Sequence, residues 1–202
     1  MTSFSTTLAT PKSVVTNSNN TLSCTPNPPT GQGFAALNCN YVNDLKCAEF
    51  TVDNTGSGSN HLVGIGYGIT GMDFSSSTHR VGSDSVSWGY YVIPQTGKSY
   101  IQHNGATIYE GDMLAAGDVV QLYADSVNGF VYLAKNGTFM KNSLGDVGDP
   151  SSGALGTGSM FSFPTGQADN YIVGITNNMS ISSQLTFNNP PTLPIVTGYT
   201  AV

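Results

Sequence analysis

The chain has 202 residues, of which only 9% are charged, a net charge of −6 and an isoelectric point near 4.6; ordinary soluble domains carry about 25% charged residues, so Ser, Thr, Asn and Gly must solvate this one. Its length suits a single domain that buries roughly 70% of its unfolded surface, and no stretch approaches the roughly 20 apolar residues that span a bilayer. Six Lys and Arg against twelve Asp and Glu leave no clustered basic surface for phosphates, which excludes nucleic acid and anionic membrane as partners.

From the beginning, residues 1–39 read as a Ser/Thr-rich arm and the first strand or two, one of them at 13–16, continuing through Thr21-Leu-Ser-Cys to a Pro-rich turn at 26–31. The opening residues lack the basic start and apolar segment of an export signal, so synthesis and retention in a cytoplasm are expected. Cys24, Cys39 and Cys47 are odd in number and have no Cys-x-x-Cys spacing, which points to buried thiols rather than disulfides or zinc ligands. Strands follow at 45–52 and 63–68, then a long polar loop at 71–85.

The stretch from Ser87 to Gly137 is the most legible part of the chain. Apolar runs of four to seven residues, rich in Val, Ile, Tyr and Leu, are cut by Gly and Asn-Gly pairs, the punctuation of short antiparallel strands. Asn104-Gly105 and Asn136-Gly137 predict hairpin turns, because both residue types tolerate positive φ. A Gly97-Lys98 turn and a corner at 109–112 complete the reading. In the strand at 119–125, Val120, Leu122 and Ala124 share one face and are assigned to the core; Ile65 and Trp88 are expected in the same core. A last strand at 185–188 precedes the Pro-spaced tail at 191–202, whose Ile195, Val196 and Tyr199 must pack somewhere.

The order Ser-Trp-Gly-Tyr from Ser87, Gly-Lys-x-Tyr from Gly97, His-Asn-Gly from His103 and Gly-Asp-Val-Val from Gly117, with Asp125 beyond it, resembles a SPRY domain. The strand of Leu45 to Val52 with Glu49, the Val-Gly-Ile-Gly-Tyr-Gly strand from Val63 and the closing Leu-Thr-Phe-Asn from Leu185 extend the likeness over residues 40–190. Ala48 stands where the family usually has an aromatic, and Phe187-Asn188 replaces its closing Asn-Phe-Gly. The resemblance implies an all-β fold, a bent antiparallel β-sandwich of the concanavalin A-like jelly-roll kind with little or no helix. It also implies protein or peptide binding through loops at one end, namely 53–60, 71–85 and 125–130. Asp73, His79, Arg80, Asp84, Asn128 and Phe130 are the candidate binding residues.

Catalytic chemistry finds little support. There is no Gly-x-Ser-x-Gly elbow, and Glu49 and Asp53, the one tempting carboxylate pair on a strand, are four residues and about 13 Å apart, beyond glycosidase spacing. Asp146 and Asp149 lie in a Gly-rich loop that reads as solvated rather than calcium-binding. No enzyme activity, cofactor or metal is expected. The neutral-polar composition and absent export signal suggest a virion structural or decoration protein on the virion surface of a virus or phage. It would be joined to other particle subunits through its terminal segments, so that deleting 1–12 and 191–202 leaves a folded monomer unable to assemble. The alternative is a lectin-like module of a phage tail or fibre that binds a host-surface glycan or receptor; a homo-oligomer is compatible with both.

Overall fold

The computed structural model describes residues 2–9, 11, 13–16, 20–24, 33–37, 41–55, 62–75, 79–93, 96–151, 156–177 and 183–202. The expected turn at 26–31, Cys39 and most of the 53–60 loop lie outside them. The strands are β1 (Phe4–Ala9), β2 (Ser13–Thr16), β3 (Thr21–Cys24), β4 (Gly33–Leu37), β5 (Leu45–Asn54), β6 (Leu62–Ile69), β7 (Ser87–Ile93) and β8 (Lys98–His103). They continue with β9 (Ala106–Asp112), β10 (Val119–Asp125), β11 (Phe130–Lys135), β12 (Thr138–Phe139), β13 (Phe161–Ser162), β14 (Asn170–Asn177), β15 (Gln184–Phe187) and β16 (Thr200–Ala201). Among the described residues there is no α-helix.

Two sheets face one another, as the sequence leads one to expect. Sheet A has the order β1-β4-β14-β6-β7-β8-β9; sheet B runs β12-β11-β10-β5-β15-β3-β2, with β13 beside β11 and β16 beside β5. The two hairpin turns form as read: Asn104 and Gly105 have φ of 51° and 73°, Asn136 and Gly137 of 52° and 77°, the paired positive values that match strand twist. Val120, Leu122, Ala124, Ile65 and Trp88 all enter one inter-sheet core with Phe50, Tyr67, Tyr90 and Phe187.

Two expectations need correction. Residues 109–112 are not a corner but the second half of β9; Gly111 is there because the Tyr109 ring lies where its Cβ would stand, a packing reason rather than a turn. The terminal segments are not appendages. Strands β1 to β4 are divided between both sheets, and β16 pairs in parallel with β5, Thr200 beside Lys46 and Ala201 beside Cys47. The tail also covers the outer face of sheet B, where Ile195, Val196 and Tyr199 pack on Cys47, Tyr123, Tyr132 and Ala134. Hence Gln121 and Asp125, opposite the core-facing trio of β10, are buried too.

Candidate interaction surface

One end of the sandwich gathers the connections at 41–44, 70–86, 104–105, 126–129 and 163–169. β6 ends at Ile69 beside Asn170, the start of β14, and Gly68 pairs with Ser87 at the start of β7. β10 ends at Asp125 beside both Leu45 and Phe130. Aromatic packing welds these strand ends together: Phe163 lies against Tyr67 at 4.6 Å, and Trp88 is stacked between His103 at 4.2 Å and Phe161 at 5.4 Å. The Phe163 amide donates to the Gly129 carbonyl, tying the 163–169 loop to the 126–129 turn. Asp44 and Ser126 exchange hydrogen bonds across the neighbouring 41–44 loop.

The long loop from 70 to 86 is shaped by the strand before it. Gly66 and Gly68 present no side chain to the outer face of β6; a Cβ on Gly66 would stand 2.7 Å from both Val81 and the Trp88 carbonyl, and one on Gly68 would collide with Met72. The described part of the loop therefore lies against the sheet, with Met72, Phe74 and Val81 packed among Phe34, Tyr91, Val173 and Ile175. Burial on that face pushes the Tyr91 phenol up to about 12 against the lowering effect of Arg80.

Polar contacts then fix the loop rim. Asp84 accepts hydrogen bonds from the Val86 amide at 3.1 Å and the Ser87 hydroxyl at 2.6 Å, and the Ser87 oxygen accepts from the Gly82 amide. The Asn104 and Gly105 amides donate to the Asp84 and Gly82 carbonyls, fastening the loop to the β8–β9 turn. His79 Nε2 lies 3.0 Å from Asp84 Oδ2, and its ring packs on Phe34.

The structure thus brings His79 and Asp84 together, but as a brace for the loop. Asp73 accepts from the amide and hydroxyl of Ser75 and is exposed, as is Arg80, so these two remain on the outer rim. Asn128 is exposed in the β10–β11 turn, held by Asp125 through its amide and side-chain nitrogen. Phe130 is half-buried at the start of β11 and packs against the aromatic cluster on the outer face of sheet B. Asp53 and Asn54 sit at the far end of β5 from Leu45, so that loop does not join the 125–130 turn. Trp88 is 4% exposed, which removes it as a stacking platform. Sequence reasoning missed Val42 and Val127, 44% and 49% exposed on the two loops that Asp44 and Ser126 join; single apolar residues in polar loops carry no periodic signal.

The carboxylates tempting for catalysis are structural. Glu49 is fully buried and holds the segment after β15, while Asp53 accepts from the Thr186 hydroxyl and burial raises its pKa. Among the described residues no three His, Cys, Asp or Glu side chains converge as metal ligands.

This architecture is the SPRY β-sandwich. The chain superposes on the SPRY domain of human HERC1 with a TM-score of 0.63 and 14% identity, covering 91% of this chain and 96% of that one. The PSpry domain of TRIM65 gives 0.59 and 13%, covering 93% and 88%; stonustoxin gives 0.59 and 11%, covering 93% of this chain and 28% of the toxin. No protein-family model matches the chain, and neither does any curated protein sequence.

Proposed function

We propose that this chain is a non-catalytic protein-binding module whose contact surface is the loop end of the sandwich. The observation that carries the reading is the pairing of exposed side chains, Asp73, Arg80, Asn128, Val42 and Val127, with loop backbones immobilised from beneath. Binding residues on rigidly held loops avoid the ordering cost that flexible ones incur. The likeness to SPRY folds supports the same use of that end. The setting we favour is a virus or phage particle, with the domain as a structural or decoration subunit on the virion surface. A 9% charge content supports this, since neutral polar surfaces suit proteins displayed outside cells. A glycan-binding role is less favoured because buried Trp88 cannot stack on a sugar.

Mass spectrometry of purified particles tests the setting, and incorporation of the Val42→Asp, Val127→Asp double variant tests the surface. Both valines are exposed, so the variant should fold normally and its incorporation should fall by about tenfold or more, as expected for charge placed at an apolar contact. Absence of the chain from particles overturns the setting. Normal incorporation of the variant overturns the loop end as the contact.

A further inference from the structure

The two lateral sides of the sandwich are not alike. On one side β1 and β2 are the edge strands, and the Ser13 hydroxyl crosses the gap to donate to the Phe34 carbonyl. On the other side β9 ends sheet A and the two-residue β12 ends sheet B, and the two strands do not pair. Along this side lie two open hollows of ≈ 310 Å³ and ≈ 420 Å³, both lined by Tyr109, which together form a cleft beside β9. Tyr109 and Met140 in its wall are packed against the main core. Ile108, one of the exposed large hydrophobic residues among those described, also lines the cleft.

Lysines also border the cleft, alongside Glu110 in its wall and Asp118 beside Lys135. Lys98, Lys135 and Lys141 flank it, three of the six Lys and Arg of the chain. Lys98 is paired with Glu110 at 2.6 Å and Lys135 with Asp118 at 3.6 Å. Lys141 is exposed and has no acidic partner among the described residues.

We propose that this cleft binds an extended acidic peptide, a contact independent of the loop end. The peptide adds a strand along Tyr109 to Asp112, whose outer main-chain edge is open. The β-bulge between Ile101 and Gln102, which leaves Ile108 without a partner on β8, ends the regular edge at Tyr109. An aromatic or branched aliphatic side chain enters between Tyr109, Phe139 and Met140, and a neighbouring carboxylate reaches Lys141. Gly111 is essential, because a side chain there displaces the Tyr109 ring that forms the wall.

A positional-scanning library of acetylated, amidated heptapeptides, titrated by fluorescence anisotropy, tests this. One position should favour Asp or Glu over Lys by about tenfold, the scale of one complementary charge at an interface rim, and Lys141→Glu should reverse that preference. Gly111→Ala should abolish the preference for an aromatic residue beside it. Amide shifts on binding should fall at residues 109–111 and 139–141. The proposal is overturned if no position prefers an acid, if Lys141→Glu leaves the preference unchanged, or if the unliganded protein sediments as a dimer that buries β9. Shifts confined to residues 70–86 and 126–129 would overturn it too, while supporting the loop end as the binding surface.

Discussion

Glu49 shows how one side chain can organise a distant segment. Fully buried on β5, it accepts from Gln121 Nε2 at 3.2 Å, Asn188 Nδ2 at 2.8 Å, the Thr192 amide and hydroxyl at 2.7 Å each, and the Leu193 amide at 3.0 Å. Three of these donors belong to residues 192 and 193, so the carboxylate holds the tail onto sheet B. Glu49→Ala removes the shared acceptor of five donors, the Gln121 amide buried and the others part-buried, and urea unfolding should show a loss of about 3–5 kcal/mol. A loss under about 0.5 kcal/mol, the level of an ordinary surface substitution, would show that the tail is held by other contacts. Cys47 provides a second reading of the same event. Burial pushes its thiol from 9.0 up to about 12, with the Tyr123 contact opposing and Glu49 adding to the rise. The native thiol should resist alkylation at pH 8, and peptide mapping should find it modified faster in Glu49→Ala. Because its folded pKa is raised, the associated stability is fully present below pH 9 and is lost as pH rises toward about 12.

At the scale of elements, β6 connects sequence pattern to loop position. Its alternation of apolar residues with Gly64, Gly66 and Gly68 sends Val63, Ile65 and Tyr67 into the core and leaves the outer face bare for the following loop. Gly66→Ala collides with the Trp88 carbonyl as well as Val81, and backbone cannot yield cheaply, so it should destabilise by about 1–3 kcal/mol, the range of an overpacked core. Gly68→Ala meets the flexible Met72 side chain and should cost less. Equal urea midpoints for the two variants would show that the loop does not press on β6 as described. Such contacts explain what was legible beforehand. β10 and β11 were readable because alternation and Asn-Gly turns are local signals, and the core residues Ile65, Trp88, Val120 and Leu122 followed from them. β1, β4 and β14 were not read as strands. On β4 and β14, both faces are buried, with Phe34, Ala36, Val173 and Ile175 turned toward the 70–86 loop while Ala35, Leu37 and Ile172 face the core, so no polar alternation marks them. The loop residues Asp73, Arg80 and Asn128 could be picked out by polarity. The half-burial of Phe130 was not legible, because Gly156, which lies against its ring, is far along the chain.

For the whole molecule, the consequence is a sandwich wrapped on both outer faces, by the 70–86 loop over sheet A and by the tail over sheet B. Wrapping explains how a chain with so few charges stays folded without leaving broad apolar faces in water, where they would invite association. It also reverses the expectation for truncation. Removing residues 191–202 deletes the Thr192 and Leu193 donors to Glu49, the β16 pairing and the Val202 amide bond to the Cys47 carbonyl. It uncovers Tyr123 as well, whose ring is packed edge-on against Tyr199 at 5.2 Å. The loss should equal or exceed that of Glu49→Ala, and at about 2–4 °C per kcal/mol for a chain of this size the melting temperature should fall by roughly 6–12 °C or more. Binding of a hydrophobic dye at room temperature should rise in parallel, because the outer face of sheet B becomes accessible. A truncated protein that melts within about 2 °C of the full chain, binds no more dye and keeps Cys47 protected would show that sheet B holds its outer face without the tail, and residues 191–202 would then be free to serve a partner.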